Sequence, residues 1–221
     1  MRSLIGAAVG AFCLVAPAAA ETPAAIVEDV QGKVDGIELM DYVAPGKVIK
    51  LGPKATVVLG YLKSCWRETI TGGVVLVGAE ESAVQLGDVQ RIKVPCDAKA
   101  AQLSEREANQ SAATTFRTVR SDSKSAPAKL PTLYGVSPLV EAKSGGVLTI
   151  ERIDGNEAQL SIALKNNLVR GKFYDFARDG KALTPGGTYL AKLGSRRFTF
   201  QVDASATSSP TPIVGRLLRL D

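Results

Sequence analysis

Between Ala25 and Val94 short runs rich in Val, Ile, Leu and Thr are broken by glycine at close intervals. The runs Ile26–Val34, Lys47–Leu51, Thr56–Leu62, Trp66–Thr71, Val74–Val77 and Val89–Val94 read as strands, with Gly32, Gly36, Gly46, Gly52, Gly60, Gly72, Gly73, Gly78 and Gly87 as punctuation. No helical period of useful length interrupts them, which favours a sandwich or roll over βαβ units. Val75 to Val77 is continuously apolar, a pattern that predicts a strand covered on both faces.

The pattern changes abruptly at residue 98. Ala98 to Thr115 is rich in Ala, Gln, Glu and Ser, and Ser104 with Glu107 three residues on forms a capping box for a marginal helix. Ser121 to Pro131 reads as a polar, proline-bearing linker. A second β region follows. In Leu160–Leu164 and Phe198–Val202 large apolar residues alternate with small or polar ones, so one face meets a core. Val147–Ile153, Lys172–Ala177, Thr188–Leu193 and Ile213–Leu220 complete the strand set, and Asp179-Gly180, Pro185-Gly186-Gly187 and Gly155-Asn156 supply turns. The expected fold class is all-β. Residues 21–97 form a β-rich roll or sandwich, 98–133 a linker with a marginal helix, and 134–221 a sandwich whose strand count and spacing fit an immunoglobulin-like type.

The N-terminus adds a location. Met1-Arg2-Ser3, an apolar stretch from Leu4 to Val15, and Ala16-Pro17-Ala18-Ala19-Ala20 have the order of a signal peptide, so residues 1–20 are expected to be cleaved after Ala20. The stretch is short for about 30 Å of hydrocarbon, and no later segment is apolar enough to span a bilayer. The expected destination is the periplasm or the exterior. The 27 Lys and Arg, less Arg2, against 22 acids leave a net charge of +4, a mild excess that a solvated surface explains and that gives only weak support for an anionic partner such as lipid A, nucleic acid or an acidic glycan; no nucleic-acid partner is expected.

Export also sets the cysteine chemistry. Cys13 leaves with the leader, and Cys65 and Cys96 remain as an even pair in an oxidising compartment, which favours a disulfide over two free buried thiols. Closing that loop would contribute roughly 3–4 kcal/mol through the unfolded chain.

The chain contains no histidine, which removes Ser-His-Asp and Cys-His catalysis and histidine zinc sites together. Cys65 beside Lys63 resembles an activated thiol, but it has no base partner and Cys96 is there to pair with it. Ser121-Asp122-Ser123-Lys124 has Ser-x-x-Lys spacing without the companion motifs. Glu80-Glu81 reads as a solvated loop, because adjacent strand residues point to opposite faces. Arg196-Arg197 and Arg216-Leu217-Leu218-Arg219 read as ordinary outer faces. No cofactor or metal is expected and no catalytic residue stands out. Trp66, Tyr61 and Arg67 are the candidate partner or ligand surface, with Trp66 packing against the linker or second domain as the plainer alternative.

Val30-Gln31-Gly32-Lys33-Val34, then Pro45-Gly46-Lys47-Val48, Leu51-Gly52 and Thr56-Val57-Val58-Leu59-Gly60-Tyr61, resemble the opening of the periplasmic FecR-type domain. Cys65, Gly73-Val74, Gly78, Ser82 and Val94-Pro95-Cys96 are similar to a cysteine-bearing subset of that family, so the resemblance also implies the disulfide. It covers about residues 25–97. It implies a β-rich extracytoplasmic module, and an immunoglobulin-like domain is a familiar sequel. Members that regulate sigma factors carry a cytoplasmic part, whereas only Met1–Ser3 stand before the apolar stretch here, and Gly52-Pro53 replaces the usual Gly-Asp. The expectation is therefore an exported, non-catalytic envelope protein that binds another protein or senses a signal. A glycan or peptidoglycan module is the alternative, and a histidine-free carboxylate enzyme is a third.

Overall fold

The computed structural model describes residues 22–101, 130–142, 145–165, 167–208 and 211–220. The expected signal peptide and the helix expected from Ser104 lie outside them. Within them the chain is all-β apart from a helical turn at Ala98–Ala101 and a 3-10 turn at Ile213–Gly215.

The N-terminal unit is one curled sheet. Its strands are β1 (Ala25–Gln31), β2 (Tyr42–Val43), β3 (Val48–Tyr61), β4 (Trp66–Val77), β5 (Ser82–Gln85) and β6 (Asp88–Lys93), in the order β2-β1-β3-β4-β5 with β6 also on β4. The glycines read as strand ends at positions 52, 72 and 73 are bends within continuous strands. β3 and β4 form a single antiparallel hairpin whose register shifts between Leu51 and Thr56, opposite Gly72 and Gly73. Both of those glycines have positive φ, +68° and +80°, which turns a strand without ending it. The hairpin folds over this corner, so β5 and β6 take successive halves of β4. The roll closes around Val27, Ile49, Leu51, Val57, Leu59, Tyr61, Ile70, Val75 and Val77. Val75 and Val77 point into it, while Leu76 between them is 46% exposed, so this strand is covered on one face only.

The C-terminal unit stacks two sheets. β9 (Gly146–Arg152), β10 (Leu160–Leu164), β12 (Thr188–Leu193), β13 (Arg196–Thr207) and β7 (Thr132–Gly135) form a sheet in the order β10-β9-β12-β13-β7. β8 (Leu139–Glu141), β11 (Phe173–Asp175) and β14 (Leu217–Arg219) form a small sheet in the order β11-β8-β14. β7 and β14 join their sheets in parallel and the other pairs are antiparallel. The hairpin β9–β10 stays within the larger sheet, while β8 before it lies in the small one. The strand expected over Ile213–Leu220 begins only at Leu217. The residues before it are drawn into the 3-10 turn, where a Cβ on Gly215 would lie 2.6 Å from the Pro95 carbonyl oxygen.

The small sheet is buried on both faces. Its cross-strand row Tyr174, Val140 and Leu218 packs into the sandwich core with Leu148, Ile150, Tyr189 and Phe200. The opposite face carries Leu139, Phe173 and Leu217, which meet Ile26, Met40, Leu62 and Val94 of the roll, with Ile213 and Val214, in a third apolar core. This seam makes the two units one packed body.

At the corner of the roll a Cβ on Gly73 would stand 2.3 Å from the Gln85 carbonyl oxygen, in a backbone conformation that side chains avoid. Gly73→Ala is expected to cost about 3 kcal/mol. A urea titration should show the midpoint falling by that equivalent, whereas Gly52→Ala, with open space around it, should move it far less.

Candidate interaction surface

Trp66 begins β4 opposite Lys93 of β6, and the Lys93 ammonium lies 4.9 Å from the centre of its ring. Alternation puts Trp66 on the face shared by Glu68 and Ile70, half-buried against the core at the mouth of the roll. The turn before it is tied down on several sides. Cys65 N–H donates to Tyr61 O at 3.1 Å, Val94 N–H donates to Cys65 O at 3.0 Å, and the Lys63 ammonium sits 2.8 Å from the Glu80 carboxylate, holding that carboxyl below its ordinary range. Cys65 and Cys96 stand at disulfide distance, their Cα atoms 5.8 Å apart. Cys65 has φ +57°, as the tight turn requires.

The other two candidates are elsewhere. Tyr61 is fully buried and shares a hydrogen bond of 2.7 Å with Ser82 Oγ. Burial pushes its phenol up to about 12. Beside it the buried Glu68 accepts Ser82 N–H at 3.1 Å and Arg91 Nε–H at 2.6 Å, a polar group that runs from the core of the roll out to its surface. Tyr61 therefore belongs to the core and to no surface. Arg67 lies on the opposite face of β4 from Trp66, where its Nε donates to Glu28 at 2.8 Å. The three residues form no common site.

Arg67 is instead part of an ionic layer in the seam. A bulge in the β1–β3 ladder between Val27 and Asp29 swings Glu28 across Gly60, where any Cβ would be 2.5 Å from its Oε1. Glu28 also accepts Val214 N–H from the C-terminal unit at 3.0 Å. Tyr42 donates to Glu141 at 2.5 Å, and the Arg219 guanidinium lies 4.8 Å over the Tyr42 ring with its Nε 3.5 Å from Glu141. Arg216 grips Asp175 with two hydrogen bonds, 2.6 and 3.2 Å, and Arg170 pairs with Glu38 and Asp41 across the seam. Arg216 and Arg219, read from sequence as an outer face, are thus internal, while Arg196 is exposed as that reading expected. The trace in the sequence was a charge embedded in an apolar strand: Glu28 between Val27 and Val30, Glu141 after Leu139-Val140, Arg219 between Leu218 and Leu220.

Among the described residues the packing leaves large apolar side chains open at Ile92, Val147 and Ile153 and, in a paired row, on the outer face of the roll beyond its corner. Val48 is 49% and Leu76 46% exposed, paired across β3 and β4, with exposed Ala83 of β5 next in the row. Val74 and Lys50 form the adjoining row, and Leu86, 96% exposed with φ +56°, stands at the corner. The free side of β5 has no strand beside it among the described residues. On the C-terminal unit an open cleft of about 340 Å³ is lined by Asn167, Leu168, Val169, Asp175, Arg178 and Asp179. Both of its aspartates are engaged, by Arg216 and by Tyr174. Among the described residues no group of three His, Cys, Asp or Glu could hold a metal, and no helix is long and apolar enough to cross a membrane.

Burial pushes the Glu28 carboxyl above its ordinary 4.5, against the lowering effects of Val214 N–H and Arg67. Between 4.5 and that raised value the folded chain binds more protons at this site than the unfolded chain, so the Glu28 contribution declines as pH rises through the window. The unfolding free energy of the native chain minus that of Glu28→Gln, measured across pH, should fall with rising pH over this range. A constant difference would contradict the assignment.

No family model, no curated protein and no solved structure matches this chain.

Proposed function

We propose that this chain is an exported, non-catalytic protein of the cell envelope, periplasmic or secreted, that works by binding another protein through a FecR-like N-terminal roll. The order of residues 1–20 supports the export reading, and Cys65 and Cys96 at disulfide distance fit an oxidising compartment. The observation that carries the binding reading is the exposed row Val48, Leu76 and Ala83 beside the free edge of β5. An extended segment of a partner that adds to β5 gains main-chain hydrogen bonds from the edge and apolar contact from the row. A stable interface needs on the order of 1,000 Å², so the contact would extend along the adjoining Val74 and Lys50 row and onto Leu86.

The glycan alternative would use Trp66. Lys93 already lies over its ring, so a sugar would have to displace that ammonium or stack on the other side. The protein-binding reading is the better supported of the two.

Crosslinked capture from envelope extracts should recover a reproducible protein partner with the native chain and lose it with Leu76→Asp, while the exposed Arg196→Glu keeps it. Capture that ignores Leu76→Asp, or yields no reproducible partner, counts against the proposal. Cosedimentation with purified cell-wall sacculi that is abolished by Trp66→Ala would favour the glycan reading instead.

A further inference from the structure

The four residues Val94–Asp97 leave β6 and touch both units. On the roll side Val94 N–H donates to Cys65 O at 3.0 Å, and Cys96 stands at disulfide distance from Cys65. On the other side Val94 and Cys96 pack in the seam core with Leu139, Phe173, Ile213, Val214 and Leu217. The Pro95 carbonyl closes on Gly215, leaving no room for a Cβ, and the Asp97 carboxylate accepts Thr132 N–H at 3.2 Å at the start of β7. The segment is a strap across the seam.

Its anchorage is uneven. Among the described residues β6, which delivers it, pairs with β4 and no other strand, and it is exposed along most of its length. Such an edge strand frays readily. The cysteine pair supplies the covalent tie where the ladder ends.

We infer that the Cys65–Cys96 disulfide is a redox clasp on the seam between the two units, and that its reduction by a protein dithiol loosens the strap and uncovers apolar seam surface while both β units stay folded. The step is thiol–disulfide exchange. A thiolate of the dithiol bonds to Cys96 Sγ, the less buried of the pair, and the bond to Cys65 Sγ breaks, Cys65 leaving as a thiolate that takes a proton. The second thiol of the dithiol then displaces Cys96, which is protonated in turn. The chain gains two electrons and two protons, and the dithiol closes to its own disulfide.

Hydrogen exchange on the oxidised chain and on the chain reduced with dithiothreitol tests this. The seam amides of Val214 and Thr132 should exchange roughly a hundredfold faster after reduction, a change within what closing such a loop contributes. The core amides of Ile70 and Ala191 should keep their protection, and fluorescence of an apolar dye should rise. The double variant Cys65→Ser with Cys96→Ser should reproduce the reduced state without reductant. Should that variant not fold, Asp97→Ala in the oxidised chain frees the other end of the strap and should speed exchange at Thr132 and Val214 alike. Seam amides equally protected in both redox states would overturn the inference. So would loss of Ile70 protection together with the seam, since the disulfide would then staple the roll as a whole.

Discussion

The architecture depends on a three-stranded sheet with no solvent face. β8, β11 and β14 are too short to make a unit of their own, and side chains alternate strictly across a strand. Alternate residues must therefore serve two cores. Val140, Tyr174 and Leu218 go to the sandwich, and Leu139, Phe173 and Leu217 go to the seam with the roll. Each large apolar side chain so buried is worth roughly 1.5–3 kcal/mol, which gives the small sheet reason to stay covered on both sides.

The same alternation places Glu141, Asp175 and Arg219 on the seam face. A charge without a partner there would be costly, and the partners come from both directions. Asp175 takes Arg216 from its own unit, while Glu141 takes Tyr42 from the roll. Glu28 makes the reverse connection, reaching from the roll to the backbone of Val214. These contacts are directional, so they select one arrangement of the two units where apolar packing alone would tolerate several.

The roll follows another logic. Its long hairpin bends at glycines, and the bend sends the two halves of β3 and β4 in different directions. One half, with Ile26 of β1 alongside, presents Gly60 and Arg67 to the seam. The other presents Val48 and Leu76 to solvent. An apolar row thus stands exposed on the half of the hairpin that turns away from the seam.

Much of this was legible in the chain. Runs of β-branched residues between glycines specify strands, because a pleated backbone accommodates branched side chains and glycine readily adopts the turns between them. The all-β class follows from that, and the even pair of cysteines, Cys65 and Cys96, stands at disulfide distance. Local pattern cannot say whether a glycine ends a strand or bends it; Gly72 and Gly73 bend β4 because its partner β3 shifts register at the same level. Nor can it say which face of Leu139–Glu141 or Leu217–Arg219 is outer, since both faces are inner. Tyr61, Trp66 and Arg67, near neighbours in sequence, were dispersed to core, rim and seam by alternation and a turn. Sequence carries the period of each strand, whereas burial belongs to the pairing of surfaces far apart in the chain, and that is decided only when the whole chain has folded.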